Sequence, residues 1–340
     1  MGLGSSGSVA SENPASHFGS TTRSGTDKGA WLVTAENSGL PASTGSGTHA
    51  PVPGDGGPGL PYGALFAGIF VVAFGTLLFE IALIRVFSFT IWHHFGYLVI
   101  STALLGFGAS GSFLAVRPDF GATSLGSALA SCVLLSGLTM VGVLGFVSLV
   151  PLHPMSILAD FRQLALLLAY QLVTAIPFFF SGLAVSLALR AAATRVDRLY
   201  FWDLLGGGLG CLCAVGLMNL LTPPGAVVVA AAVLTAAAVP FAQRAVHRRV
   251  GVALAVLLLA GAWFAERLPF TPARTKEYSV QVEKLGAEPV TREWTALFRT
   301  DLVKAGPRPS RRWVPGLSNV APPDLAWPAY FLSHDGTAGA

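Results

Sequence analysis

Residues 62–89 read YGALFAGIFVVAFGTLLFEIALIRVFSF, and this stretch decides the fold class of the chain. A bilayer core of about 30 Å takes about 20 apolar residues at the rise of an α-helix, so the stretch is long enough to cross it. Comparable apolar blocks follow. We predict spans at 62–89, 91–116, 126–150, 163–189, 200–221, 225–243 and 249–265. The last two are short, so six spans is the alternative to seven. The prediction is an all-α polytopic membrane bundle.

The composition indicates the same class. Hydrophobic residues make up 53% of the 340 and charged residues 11%, and the mean hydropathy is +0.63. A soluble domain has about 25% charged residues. The net charge of +4 comes without a basic run interleaved with aromatic residues, so nucleic acid is not an expected partner. The expected partner is the lipid bilayer.

The three cysteines do not indicate a metal site or a disulfide framework. Cys132, Cys211 and Cys213 all lie inside apolar blocks. In a helix, the C-x-C spacing of the last two turns their thiols about 200° apart, so they would not converge on one ion. We therefore expect small residues that face lipid or the bundle interior.

The chain divides into three parts by composition. Residues 1–60 are rich in Gly, Ser and Pro without an apolar period, and they are predicted to be a disordered tail. Residues 61–265 form the predicted bundle. Residues 266–340 are predicted to be a small strand-rich lead-in segment.

Three strands are predicted in that last part. Glu277–Glu283 (EYSVQVE) and Trp294–Leu302 alternate with a period of two, and Ala329–Leu332 leads into a hairpin-type turn at His334-Asp335-Gly336. So few strands bury little area, so the segment is expected to need a partner surface. Because the sequence stops just after a turn signal, we expect the segment to be incomplete.

The orientation prediction rests on short arginine-bearing loops. With seven spans, one side has Arg117, Arg190, Arg195, Arg198, Arg244, Arg248 and Arg249, and the other has Arg85 and Arg162. Cytoplasmic loops are enriched in Lys and Arg, which predicts a cytoplasmic N-terminus. Seven spans would place residues 266–340 outside the cytoplasm, and six would place them inside.

Two ionisable residues lie within the first span. Glu80 must be protonated, paired or directed at a polar cavity, and both a structural role and a transport or ligand role are open. Arg85 lies about 140° around the helix from Glu80, so the two do not share a face. Arg85 is expected to extend toward the membrane boundary near Trp92.

Asp203 and a histidine pair are the other polar candidates. Asp203 is either an intramembrane carboxylate, paired with Arg85 or a histidine, or an interfacial acid that the helix dipole favours in a first turn. His93 and His94 adjoin Trp92 and are expected to be interfacial.

The glycine patterns are interpreted as packing motifs. Gly106, Gly108 and Gly111 spell G-x-G-x-x-G, but they lie in mid-span, whereas a dinucleotide site needs a preceding strand. Gly206 and Gly210 form a small-x-x-x-small pair that favours close helix contact. No catalytic, cofactor-binding or metal-ligating residue is assigned.

Four stretches together resemble one family. They are FEIALIRVFSFTIWHHFGYLVISTALLGFGASG, RLYFWDLLGGGLGCL with TPPGA, EWTALFRTDLV, and the closing HDGTAGA. They are similar to bacterial membrane proteins that fuse a transmembrane bundle to a spermidine synthase-like domain. The resemblance covers about residues 62–340.

The resemblance implies an inner-membrane bundle, a strand-rich lead-in and then a Rossmann domain that holds an S-adenosylmethionine-type ligand. That last domain is missing from this sequence. In soluble polyamine synthases, the lead-in has a Tyr-Gln pair and an LDG-x-x-Gln turn, whereas here Ser279 follows Tyr278 and Gly339 takes the place of the last Gln. The chain is therefore expected to lack a complete catalytic site and a cofactor of its own.

Three functions follow as hypotheses. The first is the integral membrane part of a spermidine synthase-like protein, related to polyamine aminopropyltransferases. The second is a small-molecule or ion transporter lined by Glu80, Arg85 and Asp203. The third is an anchor or scaffold for a separately encoded enzyme. A downstream synthase-like domain or a second copy of the chain is the expected protein partner.

Overall fold

The apolar blocks form long helices. The computed structural model describes residues 59–157, 160–284, 286–304 and 330–339, and these all belong to one compact unit. Residues 1–58, most of the predicted disordered tail, lie outside the described residues. The helices are α1 Tyr62–Thr90, α2 Gly96–Val116, α3 Leu125–Leu149, α4 Phe161–Ala191, α5 Val196–Ala236, α6 Ala238–Phe241, α7 Ala245–Ala262 and α8 Glu277–Ser279. Six of them are long and apolar enough to span a membrane, so the prediction of a multi-pass bundle is confirmed.

Helix α5 is a helical hairpin, because its backbone leaves the helical region at Thr222 (φ 69°, ψ 158°). Before this residue, Gly206 lies against Phe70 of α1 and Gly210 against Phe74, so residues 196–221 run parallel to α1. After this residue the direction changes.

The second half of α5 runs antiparallel to α1. Leu234 lies against Gly75, and Phe241 of α6 lies against Gly68. The chain therefore crosses the bundle twice between Val196 and Phe241. The other five long helices cross once each, so the described residues contain seven crossings. This agrees with the predicted count of seven rather than six.

The reversal itself lies inside the protein. The Thr222 hydroxyl accepts a hydrogen bond from the Gly225 N–H at 3.4 Å, and Pro223 and Pro224 occupy the first helical positions after it. Proline fits there because the N–H groups of the first helical turn have no acceptor within the helix, so a residue without an N–H loses no hydrogen bond. Gly225 is buried, and a Cβ added to it would lie 3.0 Å from the Ala262 carbonyl of α7. This turn accounts for the break between the predicted spans 200–221 and 225–243, and it is packed against α7.

A chain of hydroxyl groups joins three helices in mid-bundle. Ser136 of α3 donates to the Pro177 carbonyl of α4 at 2.9 Å, and Ser181 lies 2.8 Å from Ser136. Thr76 of α1 lies 3.1 Å from the Ser181 hydroxyl. All three side chains are buried. Interhelical hydrogen bonds of this kind stabilise helix association where apolar burial alone gives little preference.

The two ends of the bundle are distinct. At the end where α1 begins, Tyr62 lies 3.3 Å from Thr194, and Gln243 donates to the Gly59 carbonyl at 2.6 Å. At the end where α1 finishes, Asn219 accepts from the N–H of Ala296 in the C-terminal segment at 2.8 Å. We call these the first end and the second end. The C-terminal segment lies at the second end.

The C-terminal segment contains a four-stranded antiparallel sheet in sequential order. Its strands are β1 Glu288–Trp294, β2 Arg299–Lys304, β3 Tyr330–His334 and β4 Thr337–Gly339. Asp335 and Gly336, both with positive φ, join β3 to β4. Asp-Gly is favoured in two-residue hairpin turns of this type, and the predicted hairpin is confirmed.

Two of the strand predictions are wrong. Residues 277–284 form α8 and one π-helical turn, in which the Ser279 hydroxyl approaches the Pro272 and Ala273 carbonyls at 3.2 Å each. The predicted strand 294–302 is interrupted after Trp294, because the Thr295 hydroxyl accepts hydrogen bonds from the N–H groups of Leu297 and Phe298 and turns the chain. In the first case the segment also contacts the distant hairpin, since the Tyr278 N–H donates to the Gly336 carbonyl at 3.0 Å. In the second case a local side-chain hydrogen-bond pattern ends the strand.

The contact between α1 and α5 can be tested with glycine variants. Gly206→Leu should lower the thermal stability and the yield of folded protein in detergent, because its side chain would overlap the Phe70 backbone. The matched control is Gly216→Leu on the same helix, where an added Cβ meets no heavy atom within 4 Å. Equal melting temperatures for the two variants would contradict the close contact.

Candidate functional site

A buried ion pair joins the end of α1 to the C-terminal hairpin. Arg85 donates through Nη2 to Asp335 Oδ1 at 2.5 Å, and the Arg85 side chain is only 8% exposed. The two residues are 250 positions apart in the sequence. Arg85 does reach toward the boundary, but it pairs with Asp335 and not with Asp203, so the proposed Asp203–Arg85 pair is wrong.

Lys276 satisfies the end of α1 from the other side. Its ammonium donates to the carbonyls of Ser88 at 2.8 Å, Phe89 at 2.6 Å and Asp335 at 2.8 Å. The Thr90 carbonyl accepts from the Ala273 N–H at 3.0 Å. The last carbonyls of a helix lack partners within the helix, so these contacts supply what α1 needs at its C-terminus.

Arg299 connects the sheet to the same point. Its backbone N–H donates to Asp335 Oδ1 at 2.8 Å, and its guanidinium donates twice to Asp301 Oδ1, at 3.0 and 2.6 Å. The guanidinium also lies over the rings of Phe89 and Trp294, 4.2 and 5.2 Å from their centroids. Arg85, Lys276, Arg299, Asp301 and Asp335 therefore form one network, which we call the clasp.

Burial changes the acid–base behaviour of the clasp. Desolvation lowers the pKa of the Lys276 ammonium to about 8; Asp335 opposes this effect, and Arg85 and Arg299 reinforce it. Desolvation raises the pKa of the Asp301 carboxyl, and Arg299 counteracts this. Lys276 is 1% exposed, so its charge depends on these neighbours rather than on water.

A pocket of about 300 Å³ opens beside the clasp. It is lined from the bundle by Ser88, Trp92 and His93, and from the C-terminal segment by Lys276 and His334, among others. His94 is exposed and stacks on Trp92 with ring centroids 6.1 Å apart. Among the residues that the structure describes, no group of three or more His, Cys, Asp or Glu side chains could hold a metal ion.

Glu80 and Asp203 lie away from the clasp. Asp203 lines a groove between α1, α2, α4 and α5 together with Thr76 and Cys211, among others. Neither acid takes part in a hydrogen bond or ion pair within the described part of the chain. Glu80 lies close to Cys211 of this groove, whereas Arg85 pairs with Asp335 in the clasp and does not line the groove.

The glycines differ in their surroundings. An added Cβ at Gly106 would lie 2.7 Å from the Ala175 carbonyl of α4, so Gly106 makes a close helix contact. At Gly108 and Gly111 it would meet no heavy atom within 4 Å, so these two face open space rather than a neighbouring helix. Gly206 and Gly210 lie against the α1 backbone, as described above.

The clasp residues Lys276, Arg299 and Asp301 were not candidates from the sequence. In the sequence, a single lysine after the last apolar span cannot be distinguished from a surface lysine. Only the fold shows that Lys276 donates to three carbonyls. The Asp-Gly turn was recognisable as a turn, but its partner 250 residues away was not.

No family model, no curated protein and no solved structure matches the chain. The fold and the clasp define a multi-pass membrane protein whose bundle holds a small sheet at one end.

The ion pair of the clasp can be tested by removing one charge. In Arg85→Met, hydrogen exchange of the amides at 330–339 should be faster by about tenfold or more, because Asp335 would stay partly buried without its partner. The measurement is exchange by mass spectrometry in lipid nanodiscs. The control is Arg162→Met, an exposed arginine near the same end. If both variants exchange alike, the clasp does not hold the hairpin.

The pKa of Lys276 predicts a pH dependence. With a folded pKa of about 8 against 10.5 for the free side chain, the unfolded chain binds more protons between these values. The free energy of unfolding should therefore rise with pH from about 8 to 10.5, relative to Lys276→Met. Thermal unfolding of both proteins across this window measures the difference. A difference that stays flat or falls with rising pH would contradict the lowered pKa.

Proposed function

We propose that the chain is the membrane part of a spermidine synthase-like protein, and that its bundle holds a strand segment in a fixed place for a synthase-like domain. The observation that carries this proposal is the clasp. It fixes the hairpin that bears Asp335 to the end of α1 through charged groups that are largely shielded from water.

The residues of the clasp support the proposal. Three of the four stretches that resemble the family contribute to it: Arg85 lies in the first, Arg299 and Asp301 in the third, and Asp335 in the last. These stretches are far apart in sequence and meet at one point. A shared structural task is a direct reason for a family to have all of them.

The geometry suits a rigid seat. Lys276 donates to both sides of the junction, to α1 carbonyls and to the Asp335 carbonyl, so the hairpin cannot tilt without breaking these bonds. Charge-assisted hydrogen bonds in a shielded place are stronger than neutral ones, and leaving them unmade is costly. A domain attached after this hairpin would have a defined orientation to the membrane.

An S-adenosylmethionine-type ligand would belong to that synthase-like domain. The G-x-G-x-x-G at residues 106–111 does not fit such a ligand, since it lies within α2 and Gly106 packs on α4. The purified chain should show no saturable heat with S-adenosylmethionine or its decarboxylated form in isothermal titration. Micromolar binding that is lost in Gly108→Val would overturn this interpretation.

The orientation is part of the proposal. The arginines of the loops at 117, 190–198 and 244–249 belong to the first end, where α1 begins. The positive-inside bias then places the first end in the cytoplasm and the C-terminal sheet on the outer side of a bacterial inner membrane. Alkaline phosphatase, which is active only outside the cytoplasm, should be inactive when fused after Gln243 and active when fused after Arg267. The opposite pattern would reverse the orientation.

The anchoring role has its own test. A synthase-like domain encoded after codon 340, or in a neighbouring gene, is produced as a separate polypeptide together with this chain. Its recovery in the membrane fraction should be high with the wild type and with Arg162→Met, and low with an Arg85→Met, Lys276→Met double variant. A domain that stays soluble with all of them, or coding DNA without such a domain, would refute the proposal.

A further inference from the structure

A second cavity lies within the membrane-spanning part, far from the clasp. It is a groove of about 460 Å³ between α1, α2, α4 and α5. Most of its wall is apolar or lacks a side chain, with Val72 and Leu77 from α1, Phe107 from α2, Val185 from α4 and Gly208 from α5. The α5 residues beside it, such as Leu204, are exposed on the surface that faces lipid, so the groove is reached from the bilayer.

Asp203 is the one ionisable carboxyl among the residues that line this groove. No basic residue lines it, and Asp203 makes no hydrogen bond or ion pair with another described residue. The other acid nearby is Glu80, which does not line the groove but lies close to Cys211 at its inner end. A carboxyl group at membrane depth normally pairs with another group or faces a cavity, because an isolated charge there is costly. The bundle supplies the cavity but no partner.

The position of the acid along the groove is also defined. Asp203 lies seven residues after Val196, the start of α5, which places it about 10 Å from the first end of the bundle. From Asp203 to Cys211 the groove extends another eight residues, about 12 Å, toward the middle of the membrane. A polar group thus lies near the membrane boundary, and the apolar walls continue inward.

We propose that this groove binds a membrane-soluble amine, that is, a protonated amino group with a single apolar tail. The amino group pairs with Asp203, and the tail lies along the apolar walls toward Cys211. Charge complementarity selects the head group, since one acid without a neighbouring cation matches one positive charge. The position of Asp203 near the membrane boundary, with the groove continuing inward, matches the orientation of an amphiphile in one leaflet, with its head group at the boundary and its tail toward the middle.

The experiment uses a photoreactive alkylamine with a diazirine in its tail, added to the full chain in lipid nanodiscs. Labelled residues are mapped by mass spectrometry, and the matching alkyl alcohol serves as the neutral probe. The amine should label the peptides that contain Leu77 or Leu204 at least about fivefold more than the alcohol, a ratio that corresponds to about 1 kcal/mol of preference. Equal labelling by both probes would show lipid-like filling only and would overturn the proposal.

Three variants separate the contributions of charge and shape. Asp203→Asn should reduce the labelling by the amine to the level of the alcohol. Gly208→Leu should block both probes, because its side chain enters the groove without meeting a heavy atom within 4 Å of its Cβ. Gly216→Leu, also free of contacts but outside the groove, should leave the labelling unchanged. Circular dichroism of each variant verifies that it is folded. Unchanged labelling of a folded Asp203→Asn variant by the amine would refute the role of the acid.

Discussion

The end of helix α1 imposes the requirement on which the second end of the bundle depends. A helix leaves its last carbonyls without partners, and at a membrane boundary next to buried aromatic rings water does not supply them. Ile91 satisfies the Phe87 carbonyl, Lys276 those of Ser88 and Phe89, and Ala273 that of Thr90. The chain after α7 must therefore return to α1, and this requirement positions the sheet.

The charges follow from that return. A lysine buried against carbonyls needs a nearby acid, and the hairpin turn brings both the carboxylate and the carbonyl of Asp335 to this point. The same carboxylate pairs with Arg85 and accepts from the Arg299 backbone. Each charged group of the network is compensated by a neighbour of opposite charge. Removing one member would leave a buried charge without its partner, so the stability of the network depends on all of its members.

The bundle itself depends on close approach between helices. Gly206 and Gly210 let α5 lie on the α1 backbone, and the hydroxyl chain from Thr76 to Ser136 joins α1, α4 and α3. In a membrane the hydrophobic effect does not drive helices together, so close van der Waals packing at small residues and interhelical hydrogen bonds from hydroxyl groups stabilise the bundle. The helices are packed less closely at the Asp203 groove, where Gly208 of α5 faces open space rather than a neighbouring helix.

The sequence by itself determined the membrane class, the positions of the spans, the chain reversal at Thr222 and the hairpin at Asp335-Gly336. These features depend on local properties, namely apolar length, proline after a cap and the positive φ that Asp-Gly tolerates. Only the tertiary structure decided that the reversal is buried under α7, that residues 277–284 are helical, and that Arg85 pairs with Asp335. The physical reason is that these outcomes depend on which groups meet across long stretches of chain. An arginine near the end of a span has the same local sequence whether it reaches lipid headgroups or a carboxylate 250 residues away.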